Sequence, residues 1–188
     1  MSSRLKDFAR LGATLRRVRV ADRPLEGGGK KVWHQGEHGA EVISFVDSDG
    51  HVTRQEAYVG GDAVVWEHQR PLTTGTMRIE GSAGDTLAPD ASVRVPSVLN
   101  AVSMLEGYSG EDKYLRHLRA VLAIAAQQLP VAGLDAADAA ALRRVTADQP
   151  VVTPGELAAF QGRQKSVLPW VVVAVLVAVL LAVLLLRH

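Results

Sequence analysis

Several groups of residues have types and spacings that could do chemistry. His34 and His38 stand four apart with Glu37 between them. On a helix that spacing would turn both imidazoles to one side, as in a zinc site. Gln35-Gly36 before His38 and Gly39 after it argue for a turn instead. On strands, a metal would need ligands sharing one face of adjacent strands, and no register is evident for His34, His38, His51 and His68. Asp47, Asp49, Gly50 and Glu56 match positions 3, 5, 6 and 12 of a calcium loop, but Phe45 stands at the first ligand position. The flanks Val42-Ile43-Ser44-Phe45-Val46 and His51-Val52-Thr53 read as strands, so Asp47-Ser48-Asp49-Gly50 is expected to be a hairpin turn.

Other chemistries find no complete pattern. Gly27-Gly28-Gly29-Lys30-Lys31 looks like part of a phosphate loop, but Val32 stands where that loop needs a hydroxyl. Ser44, Ser82 and Ser97 lack a Gly-x-Ser-x-Gly context, and there is no cysteine for a thiolate nucleophile, a thiolate zinc site or a disulfide framework. No catalytic, cofactor-binding or metal-ligating residue is assigned, and no cofactor is expected. Trp33 and Trp66 fall on separate strands. Val64, Trp66 and His68 alternate onto one face, which places Trp66 in the core and leaves an aromatic binding surface as the other reading.

The first 19 residues carry Arg4, Lys6, Arg10, Arg16, Arg17 and Arg19. Near an anionic leaflet each such charge adds about 1 kcal/mol of attraction. Lys6, Arg10 and Arg17 share one side of a helix expected over residues 3–15, opposite Leu5, Phe8, Ala9, Gly12 and Leu15. They are candidate membrane-surface contacts, together with Arg163 and Lys165 near the other end. Docking onto the domain's own acidic strands and a merely solvated basic face are the competing expectations, and nucleic acid is disfavoured.

The elements that must position these residues follow from periodicity. Strands are expected at 31–35, 40–47, 51–59, 63–69 and 72–80, with turns about ten residues apart, as in an antiparallel meander. Residues 81–96, with Gly, Ala, Asp and two Pro, read as a linker. Helices follow. One starts at Pro96-Ser97 with Val98, Ala101, Val102 and Leu105 on one face. A second is capped by Ser109 with Asp112 and carries Leu115, Leu118, Val121, Leu122, Ala125 and Leu129. A third opens at Asp135 with Asp138, and a fourth at Thr153-Pro154-Gly155-Glu156. The expected fold class is α+β: a small antiparallel meander over about residues 31–80, a helical segment, and one C-terminal transmembrane helix. The divisions are a basic arm (1–26), a β region (27–82), a linker (83–96), a helical region (97–163) and an anchor (167–186).

The anchor comes from one run. From Val167 to Leu186, 19 of 20 residues are hydrophobic, Pro169 is the exception, and none is charged. At ~1.5 Å per residue the run is ~30 Å long, the thickness of a bilayer's hydrocarbon core. Trp170 suits the interface, and Arg163 and Lys165 mark the cytoplasmic flank. Ala174, Ala178 and Ala182 form a small-residue stripe that would allow a homodimer. No apolar stretch of signal-peptide type follows the basic N-terminus. The expectation is a single-pass, C-tail-anchored protein of the inner (cytoplasmic) membrane, with its N-terminal domain in the cytoplasm.

The averages hide this division. The chain has 188 residues and a formal net charge of +1. Residues 1–31 carry nine Lys/Arg and three Asp/Glu, whereas residues 32–96 carry four and ten. Sixteen Arg against five Lys and one Asn fit a GC-rich coding genome, hence a bacterial source. A strong anchor without a catalytic constellation makes a non-catalytic interaction, scaffold or regulatory module the leading expectation. Its partners would be the bilayer and a protein. A module binding a small ligand or lipid, and a membrane-bound enzyme without a recognisable motif, are the alternatives.

Overall fold

The computed structural model describes residues 3–19, 23–25, 27–79 and 85–147. The expected fourth helix at Thr153, the flank at Arg163 and Lys165, and the anchor from Val167 through Trp170, Ala174, Ala178 and Ala182 to Leu186 lie outside them. Among the described residues, no helix is long and apolar enough to cross a membrane.

Among the described residues the fold is α+β, an eight-stranded antiparallel sheet with four helices. Helix α1 (Ser3–Ala13) comes first. The short strands β1 (Arg16–Arg17) and β2 (Arg23–Pro24) both pair with β3 (Lys30–Gln35) along its outer edge. The meander continues through β4 (Glu41–Val46), β5 (Val52–Val59), β6 (Asp62–Glu67), β7 (Thr73–Ile79) and β8 (Asp85–Pro89). Helices α2 (Val95–Gly107), α3 (Lys113–Ala126) and α4 (Ala136–Ala147) complete it.

The five expected strands are present, because two-residue alternation places Val42, Ala57, Val64 and Trp66 on one buried face. Their turns use the residues that suggested them. Asp47 Oδ1 accepts from the backbone N–H of Asp49 and His51 at 3.0 and 2.8 Å, and Gly50 takes φ 87°. The expected linker contains a further strand, β8, paired with β7 from Gly75↔Pro89 to Ile79↔Asp85. An edge strand tolerates Pro89 because one side of its backbone needs no sheet partner.

All four helices serve one side of the sheet. Helix α2 is buried nearly all round, from Val95 to Leu105, so it forms the centre of the core rather than a surface helix with one apolar face. Helix α1 is no detached arm: its Leu5, and Leu15 just beyond its end, are fully buried against the same core. Helix α3 presents Leu115, Leu118 and Leu122, as the periodicity requires. Its cap is Asp112 itself rather than the expected Ser109, because the helix starts at Lys113; Asp112 Oδ1 accepts from Tyr114 N–H at 2.9 Å.

Candidate functional site

The inner face of the sheet holds a row of cross-strand neighbours: Val32, Ser44, Gln55 and Trp66, on β3, β4, β5 and β6. The polar pair in that row meets the start of α3. Gln55 Nε2 donates to Ser44 Oγ at 2.8 Å and to the Tyr114 carbonyl at 2.9 Å. That carbonyl can only accept, so the amide oxygen of Gln55 faces His117, and His117 Nδ1, 2.6 Å away, carries the proton. Burial lowers the pKa of His117 from its usual 6.5, which keeps the ring neutral. The edge of Trp66 packs against it, with ring centroids 5.1 Å apart.

A second polar tie lies beside the first. His34 Nε2 is 3.2 Å from Asp112 Oδ2, and Arg17 is 3.9 Å from the same oxygen while its guanidinium lies over the Tyr114 ring. Burial by itself would raise the Asp112 carboxyl. The Tyr114 N–H and neighbouring His34 outweigh that and hold it below its usual 3.8. Both ties fasten the beginning of α3 to the sheet. His34 is fully enclosed, whereas His38 sits on an exposed turn with φ 52°, so the structure does not bring the two together as a metal pair.

The other face of the sheet carries no helix among the described elements. Its residues are Trp33 on β3, Ile43 and Phe45 on β4, and Arg54, Glu56 and Tyr58 on β5, all at alternating positions opposite the core. Trp33, Ile43, Phe45 and Tyr58 are each half-buried. A polar network holds them in place. Arg54 Nη2 lies 2.6 Å from Glu56 Oε1, the Tyr58 hydroxyl donates to Glu56 Oε2 at 2.7 Å, and the Trp33 indole donates to Glu41 at 3.2 Å. The Arg54 guanidinium lies over the Phe45 ring. Burial, with the bond to Glu56, pushes the Tyr58 phenol well above its usual 10.0, so it stays protonated as a donor. Rigid aromatic rings with an ordered guanidinium among them suit recognition of another surface. Family models, curated proteins and solved structures offer no match to this chain.

The remaining sequence candidates fall as follows. Trp66 is in the core and Trp33 on the open face. Lys6 and Arg10 are exposed, Arg10 beside Asp7 at 3.2 Å, whereas Arg17 rests on the domain itself. Asp47, Asp49 and His51 cluster at the β4–β5 turn, but Asp47 is already engaged in closing that turn. Glu56 belongs to the open face with Arg54 and Tyr58, so the calcium-loop spacing is not a loop in space. Lys30 and Lys31 continue into β3, where a phosphate loop would start a helix. Ser44 and Ser97 are buried. Ser82 lies outside the described residues.

Sequence reasoning missed the open-face group of Ile43, Phe45, Arg54, Glu56 and Tyr58. The signal was there in β5, where Arg54, Glu56 and Tyr58 alternate with Gln55, Ala57 and Val59. Gln55 obscured it, because a glutamine on a strand does not look like a core residue.

Proposed function

We propose that this chain is a single-pass protein of the inner membrane, held by residues 167–186, whose cytoplasmic domain is a non-catalytic interaction module. The observation that carries this reading is the open sheet face. An aromatic and aliphatic surface, half-buried in the domain alone and held rigid by the Arg54–Glu56–Tyr58 network, costs little ordering to bind a partner protein. The uncharged run beginning at Val167 supplies the membrane part of the proposal.

A photo-crosslinking side chain at Phe45, in the full chain in its native membranes, tests the surface. Discrete protein adducts are expected from Phe45 and not from Ser48 at the exposed hairpin tip, and Ile43→Asp should abolish them. Equal labelling from Ser48, or adducts that survive Ile43→Asp, would sink the reading. The anchor is tested separately: a chain ending at Val151 should leave the membrane fraction, and a reporter after His188 should be inactive in the cytoplasm.

A further inference from the structure

On the helical side, away from the open sheet face, we propose that the cleft between α2, α3 and α4 binds a phosphate group. The cleft has a volume of about 500 Å³. Arg116 and Arg119 enter it from consecutive turns of α3, and Arg144 enters from α4. Val102 and Val145 form an apolar floor and are almost fully buried. Glu106 is the one acid among the described residues that line it, and its Oε2 is already 2.8 Å from Arg144 Nη2. The side chains of Arg116 and Arg119 are exposed and have no ion-pair partner among the described residues.

Three guanidinium groups against one carboxylate leave an excess of positive charge in a chain whose net charge is +1. Like charges gathered over an apolar floor repel one another, and a concave low-dielectric wall concentrates their field on whatever enters. A guanidinium presents paired N–H donors that match two oxygens of an oxyanion. A carboxylate has two oxygens and is satisfied by one such fork. A phosphate group has more and can engage forks from both helices, and both α3 and α4 supply guanidinium groups to this cleft. The phosphate could come from free solution or from a lipid headgroup, and the chemistry of the cleft is the same for both.

The test uses the full chain in neutral detergent micelles. In one arm inorganic phosphate is titrated calorimetrically at constant ionic strength. In the other, phosphatidylglycerol is added to the micelles and the melting temperature is followed. The wild type should bind inorganic phosphate, and R116Q/R119Q should weaken that binding about ten-fold or more without lowering the melting temperature of the unliganded protein. If phosphatidylglycerol alone raises the melting temperature of the wild type but not of the double variant, the source is the lipid headgroup. Should R116Q/R119Q fail to fold, R116K/R119K keeps the charge and removes the forks, and a weaker affinity is again expected. The proposal is overturned if neither probe acts on the wild type, or if both act equally on the folded variants.

Discussion

Gln55 has no exposed surface, and its carboxamide is shared among β4, β5 and α3. Replacing it by Leu keeps the bulk but leaves the buried Ser44 hydroxyl and the His117 Nδ1–H without the partner that each finds in Gln55. Each orphaned group costs about 1–3 kcal/mol, so Gln55→Leu should lower the unfolding free energy by about 2–3 kcal/mol in denaturant titration. His117 makes the same site sensitive to acid. The unfolded chain takes up a proton at this residue near pH 6.5, while the folded chain resists until lower pH. Its stabilising contribution is therefore complete above 6.5 and declines as pH falls through the window below it. Asp112, held below 3.8, adds a second loss at still lower pH. In His117→Gln the slope of stability between about pH 7 and 5 should flatten, and an unchanged slope would contradict this account. Trp66 was legible as core from alternation with Val64. Gln55 was not, because what makes it a core residue is a set of partners on α3, 59 residues away in the case of Tyr114.

Helices α1 and α2 approach so closely that two glycines become obligatory at the element scale. A Cβ on Gly12 would overlap the Met104 carbonyl of α2, and one on Gly107 would overlap the Ala9 carbonyl of α1. Helix propensity favours Ala over Gly by about 1 kcal/mol, so an isolated α1 would gain from Gly12→Ala. In the folded protein the same change forces two backbones apart and should cost about 1–3 kcal/mol, read as a lower melting temperature. The opposite signs make the measurement decisive. That a helix opens the chain was readable in the apolar spacing of Leu5, Phe8 and Ala9, but it ends at Ala13 rather than at residue 15, and its partner was not readable. Strand β8 escaped notice because Ala88 and Pro89 have weak strand preferences and it is β7 that orders them. The hairpin at Asp47–Gly50 was fully legible because its hydrogen bonds are local.

For the whole molecule, charge segregation was visible in sequence but its outcome was not. The basic N-terminal segment meets acids from the helices: Arg17 approaches Asp112, and Arg4 is bonded to Asp138, which α4 buries. The strand acids, expected as the docking surface, are held elsewhere, Glu56 by Arg54 and Asp62 by Arg94 and Asn100. Composition predicts that opposite charges will meet, but choosing among several acids requires the packing of α1 onto α2.

The contact between Arg4 and Asp138 joins positions 134 residues apart, near the two ends of the described chain. The start of α4 thus lies against the start of α1, and the order in which the described elements are connected matters little to the finished packing. A circular permutant of the described segment, with a flexible bridge of about ten residues to run back the ~14 Å of α4 from Ala147 to Ser3, and new termini cut between Asp49 and Gly50 in the exposed hairpin, should fold to the same core. Circular dichroism and a single cooperative melt would establish this. Failure to fold would show that the meander must be made as one uninterrupted piece before the helices can close over it.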